Sequence, residues 1–275
     1  MANQITAGYP RILRSTLQQT NEGLIYVPPT LQIPNTAGTG QSAHRHGLRI
    51  QSFELHNRAA AAISVGIGFR IANKFWRVGT YDGTTFTEDT ADAQDIGAGD
   101  FALGVDETTD SFVVLSTIKH SWVSINVGTA EVDAGAAVDH TVEYTNFAGT
   151  GWTVVGTGAS YADQFTLTNT VIDTGAREFV WAPPDNWGKI TGLTGLPNGY
   201  YGWRITTAQN GAGDTAALGN AMEIGYMLPV EAVADNGTYE GEDINFWMPE
   251  ADAVVAFFST ANAGNRVYVE VSVAG

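Results

Sequence analysis

The chain is 275 residues long, 44% hydrophobic and only 15% charged, with 32 glycines and no cysteine. That length holds one large or two ordinary domains. The composition favours short strands and turns over helices, and the missing cysteine excludes a disulfide scaffold, a thiol nucleophile and cysteine-based zinc sites. A formal charge of −16 repels nucleic acid and anionic membranes, so neither is an expected partner of the bulk of the protein.

The charge is uneven. Residues 1–77 carry eight Arg and Lys residues against Glu22 and Glu54, an excess of +6 that leaves −22 for the remainder. The basic leading segment is a candidate for docking on an acidic protein surface; the alternative is strand arginines that simply face solvent. The start, MANQITAGYPRIL, has no basic stretch followed by an apolar one, so no secretory signal is expected. The apolar run Ala59–Phe69 is too short to span a bilayer.

In chain order, residues 1–42 contain Pro28, Pro29 and Pro34 followed by a Gly/Thr/Ser/Ala run, a composition for extended backbone and not for a packed unit. They are read as an N-terminal arm. The arm and the basic strands behind it are the expected docking surface, through Arg11, Arg14, Tyr26, Pro28, Pro29, Arg45 and Arg49. From Gly47 the pattern sharpens: LRIQSFELHN alternates imperfectly, and Ile63, Val65, Ile67, Phe69 and Ile71 recur at a strict period of two. These predict two antiparallel strands joined through Asn57-Arg58-Ala59, with FWRVGTY as a third.

Residues 82–100 read as an acidic loop carrying Asp82, Glu88, Asp89, Asp92, Asp95 and Asp100, with Asp106 opening the next turn. DFALGV, SFVVLS, SWVSINV, HTVEYTN, GWTVVG, QFTLT, REFVWA and YYGWRITTA follow, short strands at the spacing of a jelly roll or related sandwich. AQNGAGDTAALGN is a candidate boundary, and AMEIGYML, DINFWMP, AVVAFFST and RVYVEVSVA complete the chain as strands. The expected architecture is all-β: an arm (1–42), a split β-sandwich docking domain (43–80 plus 216–275) and an inserted jelly-roll domain (81–215).

The densest stretch is Phe179–Ile205. Pro183-Pro184 stops one strand and Pro197-Asn198-Gly199 supplies the turn into the next. Trp181, Trp187, Tyr200, Tyr201 and Trp203 cluster here, as in a sandwich core; the alternative is an exposed platform that stacks sugar rings.

Catalytic signals are weak. Asp173-Thr174-Gly175 matches an aspartic-protease signature but has no second copy with which to share a proton. His44 and His46 alternate without a third metal ligand, and Asp89, Asp92 and Asp95 lack the spacing that wraps a loop around calcium. Gly-x-Ser-x-Gly, a phosphate-cradling loop and His-Glu-x-x-His are all missing. No catalytic residue, cofactor or metal is expected.

HTVEYTNFAGTGWTVVG, REFVWAPPDNWGK and GYYGWRITTA together resemble a module of tailed-bacteriophage virion proteins, over roughly Asp100–Ala208. The Gly/Thr/Ala-rich, cysteine-free composition is similar to that of capsid decoration proteins, which coat assembled heads and hold neighbouring capsomers together, many of them docking by an extended terminal arm. The resemblance implies a structural protein of the capsid exterior. It also implies the major capsid protein or another virion subunit as partner, and a homo-oligomer, with a trimer at a local three-fold expected. Many decoration proteins are smaller than this chain, which keeps head-fibre, tail and baseplate proteins as alternatives, alongside a carbohydrate-binding module used in adhesion.

Overall fold

A computed structural model describes residues 11–15, 24–27, 48–95, 100–103, 110–132, 139–156, 159–168, 170–208, 215–242, 244, 246–259 and 264–273. The chain opens with β1 (Arg11–Ser15), β2 (Leu24–Val27), β3 (Leu48–His56) and β4 (Ile63–Ile71). Next come β5 (Trp76–Tyr81), β6 (Phe86–Glu88), the short helix α1 (Thr90–Gln94), β7 (Phe101–Ala102), β8 (Ser111–Ser116), β9 (Trp122–Thr129), β10 (Asp139–Thr145) and β11 (Trp152–Val154). Then follow β12 (Ser160–Asp163), β13 (Gly175–Trp181), β14 (Tyr201–Ala208) and β15 (Leu218–Met227). The last are β16 (Glu231–Val233), β17 (Thr238–Gly241), β18 (Phe246–Met248), β19 (Ala251–Phe258) and β20 (Arg266–Val273). Two compact units result, one from Met1–Ala72 with Met227–Gly275 and the other from Asn73–Tyr226.

The first unit has two antiparallel sets of strands. β1, β20 and β3 lie side by side, with β17 and β18 on the free side of β3. The other set runs β16-β4-β19-β2. β3 and β4 therefore do not form the expected hairpin; each pairs with strands from the C-terminal part of the chain. The reason is the Asn57 corner. Its buried Nδ2 donates to the carbonyls of Ala61, Val233 and Ala234 at 2.8, 3.0 and 2.9 Å, and its Oδ1 accepts from Ala59 N at 2.8 Å. A fully bonded amide there turns the chain out of one sheet and into the other. The imperfect alternation in LRIQSFELHN also has a cause: the β3–β20 register slips between Ile50 and Ser52, leaving Gln51 as a bulge. Ile50, Phe53 and Leu55 thereby all reach the core.

The second unit is a jelly roll. Strands β7, β15, β9 and β13 lie side by side in one sheet, and β8, β14, β10 and β11 in the other. Successive strands alternate between sheets from β7 to β10 and again from β13 to β15, the winding of that fold. β12 extends the first sheet beyond β13, and β5 and β6 extend the second beyond β8.

Several expected boundaries move. FWRVGTY (β5) pairs with β8, and AMEIGYML lies in β15 against β9, so both belong to the jelly-roll unit and not to the split one. QFTLT is not a strand. Asp163 Oδ1 accepts from Phe165 N at 3.1 Å and Thr166 N at 2.7 Å, a side-chain turn that ends β12 and drops Phe165 into the core. The acidic loop holds β6 and α1, and Thr90 closes it by exchanging hydrogen bonds with the backbone of Val78.

Candidate interaction surface

The Phe179–Ile205 stretch packs inward. Trp181 and Trp187 are each 2% exposed and Trp203 is fully buried. Trp181 and Trp187 sit 4.9 Å apart between centroids, Tyr144 leans on Trp181 at 5.7 Å, and Phe179 lies 5.7 Å from Trp203. Two of the three indoles are anchored: Trp181 Nε1 donates to the His120 carbonyl at 3.0 Å, and Trp187 Nε1 donates to Thr145 Oγ1 and the Gly202 carbonyl, both at 3.1 Å, whereas Trp203 Nε1 is buried without a hydrogen-bond partner. This corrects the sugar-platform alternative, because a stacked sugar needs an open ring face and Trp181, Trp187 and Trp203 offer none. Tyr200 and Tyr201 are half-exposed, but Lys119 and Lys189 already lie over the Tyr201 ring at 5.9 and 5.1 Å.

Beyond Trp187 the loop folds back over the outer face of the β8–β14 sheet. Ile190 and Leu196 bury Tyr81, Val113 and Leu115, with Trp152 packed at the margin. Gly202 makes room for Trp152: a Cβ there would sit 2.9 Å from the indole ring and 2.8 Å from the Thr145 methyl. Arg204 covers the Trp152 ring at 4.4 Å and donates to Glu143 Oε2 at 2.6 Å. Burial pulls the Arg204 guanidinium below its usual range, with Glu143 holding it up against that pull.

Two buried histidines escape detection from sequence. His120 is fully buried against Trp187 and Trp203, at 5.0 and 6.5 Å, and neither ring nitrogen has a hydrogen-bond partner. Desolvation pushes it down to about 3. His140 instead sits in a closed relay: Nε2 lies 2.7 Å from Glu131 Oε2 and Nδ1 lies 3.0 Å from Thr207 Oγ1, while Glu131 Oε2 also accepts from Ile172 N at 2.9 Å. The order Thr, His, Glu matches a nucleophile, base and acid, but all three side chains are shut away from solvent. It works as a clamp that ties the end of β9 to the approach to β13. A lone His in an apolar run carries no spacing signal, which is why neither was anticipated.

The surface feature of this unit is one rim. β11 and β12 are outermost strands of the two jelly-roll sheets, close in sequence, and among the described residues each pairs on one side only. From Tyr144 to Ala162 there is neither a charged residue nor a proline, the usual guards of a strand edge. Phe147, Val154 and Tyr161 stand 79%, 55% and 40% exposed there. The signal was present in the sequence as an uncharged run between Glu143 and Asp163.

The expected docking residues scatter. Arg11 and Arg14 lie in β1 opposite Val271 and Tyr268, and Tyr26 lies in β2 opposite Val255. Arg49 is half-buried in β3 opposite Ser272 and Trp247, its Nε without a hydrogen bond. Pro28, Pro29 and Arg45, like His44 and His46, lie outside the described residues. Part of the basic excess is neutralised internally, Arg70 by Asp252 at 2.7 Å and Arg77 by Glu88. Asp173 is exposed in the turn before β13, with Thr174 beside it. Among the described residues, no group of three or more His, Asp or Glu side chains is placed to hold a metal ion.

Comparison of the chain with protein-family models, with curated proteins and with solved structures returns no match.

Proposed function

We propose that this chain is a structural subunit of a tailed-bacteriophage virion, of the capsid decoration kind, that binds the outer head surface as a homo-oligomer and has no active site of its own. The observation that supports an assembly role is the open rim at β11 and β12, where two unguarded sheet edges and three exposed apolar side chains sit in a chain whose net charge is −16. Such a surface suits polypeptide contact, since edge backbone groups pair with another chain and uncharged surface lets an acidic protein approach one. The phage half of the reading is supported by the resemblance over Asp100–Ala208, which covers the same rim. Head-fibre, tail or baseplate attachment would use the same chemistry on a different virion surface.

The test is binding of purified protein to undecorated capsids in moderate and in high salt. Saturable binding at a fixed ratio to the major capsid protein is expected, weakened at least tenfold by Phe147→Asp with Val154→Lys. Loss of binding on deletion of residues 2–42, with the rim variant unaffected, would move docking to the N-terminal segment. No binding to any virion fraction would overturn the proposal.

A further inference from the structure

The two N-terminal strands occupy matching places in the first unit. Among the described residues, β1 is an outermost strand of its sheet, paired with β20 over Arg11–Ser15, and β2 is outermost in the other, paired with β19 over Leu24–Val27. Each is held by backbone ladders to a strand from the far C-terminal end of the chain. The connection from β2 to β3 is residues 28–47, with an extended reach of about 65 Å at about 3.3 Å per residue. A compact unit of about 120 residues has a radius of gyration of about 14 Å, so that reach is long enough to place β1 and β2 on a neighbouring molecule as well as on their own sheets. The first two residues of the connection are Pro28 and Pro29, a pair that favours extended backbone over a tight reversal.

The edges that β1 and β2 cover cannot be left bare. β19 is buried on both faces from Ala253 to Phe258, and an uncovered strand of that kind recruits another chain. Every copy presents the same two edges, and a neighbour's β1 and β2 fit them with the same ladders.

We propose that β1 and β2 are exchanged between copies, each molecule's N-terminal strands completing the β20 and β19 edges of the next in a closed homo-oligomer. Exchange conserves the β1–β20 and β2–β19 ladders, the condition under which domain swapping costs least. The inference deepens the assembly reading and rests on it for its purpose, but its test needs no capsid.

Because the chain has no cysteine, Arg14→Cys with Tyr268→Cys introduces the only two thiols, at positions directly opposite in the β1–β20 register. Opposed residues of an antiparallel pair lie within the separation a disulfide spans. Oxidation of the purified full-length protein, followed by a non-reducing gel and thiol titration, is expected to give a reducible covalent oligomer with its thiols consumed. Each single variant alone is expected to run as monomer, and the two refolded together are expected to yield a cross-linked pair. A monomer band with consumed thiols would show that β1 folds onto its own chain and overturn the exchange, leaving capsid binding to be judged separately. A monomer band with free thiols would overturn the β1–β20 pairing and the exchange with it. Ser15→Cys with Val267→Cys, also opposed, repeats the test if the first pair does not fold.

Discussion

His120 should make the jelly-roll unit acid-sensitive. Its ring is fully buried, lies against Trp187 and Trp203 and has no hydrogen-bond partner for either nitrogen. The folded state therefore refuses a proton until about pH 3, whereas the unfolded chain takes one near 6.5. Above pH 6.5 neither state is protonated and the residue contributes no pH dependence. As pH falls below that, only the unfolded chain binds the proton, and stability is lost at about 1.4 kcal/mol per pH unit. The loss reaches about 2 kcal/mol at pH 5 and about 4 kcal/mol near pH 3, where the folded state also titrates. His120→Phe keeps an aromatic ring and removes the unpartnered nitrogens, so it should be neutral or stabilising at pH 7.5. Six of the seven tryptophans belong to this unit, so urea melts followed by tryptophan fluorescence report on it. The difference between the wild-type and variant curves cancels the carboxylates they share. It should open steadily below pH 6.5 in favour of the variant. Parallel curves from pH 7.5 to 4.5 would refute the reasoning.

Trp181→Ala and Trp203→Ala should each cost about 3–5 kcal/mol in denaturant melts, the usual penalty for emptying a large buried site, whereas Phe147→Ala at the exposed rim should stay within about 0.5 kcal/mol. Losses below about 1 kcal/mol at either tryptophan would place these rings on the surface. Glu131→Ala should cost about 3–5 kcal/mol, because it strands His140 and the Ile172 amide inside the protein; Glu131→Gln, which keeps an acceptor for both, should cost clearly less in the same melts. Deleting residues 2–27 should bare the β19 edge and cause concentration-dependent association in light scattering; a soluble, monodisperse product would show that edge to be harmless.

Strand identity was readable from the sequence wherever side chains alternate against one core, and partner choice was not. Ile63 to Ile71 of β4 announces a strand by its period of two, yet nothing local says that it pairs with β19 and not with β3, a decision made by the Asn57 corner and by residues about 190 positions away. FWRVGTY and AMEIGYML fall in the jelly-roll unit for the same reason, since their ladders run to β8 and β9. QFTLT alternates as well as SYAD does, and one Asp163 side chain decides between them. Aromatic density made the burial of Trp181 readable, while His120 and the Glu131–His140 pair left no pattern because a buried polar contact depends on what the fold brings together.

The two edges of the β8–β14 sheet differ in a way that bears on assembly. At one end, β6 carries Glu88, engaged by Arg77 and Thr90, with Asp89 and Asp92 beside it and α1 following at once; that edge is short, charged and closed. At the other end, β11 has no charge and ends in the exposed Val154. A protein that merely needed to stay soluble would guard both. The open edge is nevertheless small: β11 pairs over three residues, and a strand added there gains a few backbone hydrogen bonds at about 1 kcal/mol each, less than the several kcal/mol lost in bringing two partners together. Contact at a single rim is therefore weak by itself. Linking several rims in one closed oligomer converts later contacts into intramolecular ones and raises the overall affinity by about 10²–10⁴. Strand exchange through β1 and β2 would supply that linkage from the unit that does not carry the rim, which is why oligomer formation and surface docking should be separable by mutation in this chain.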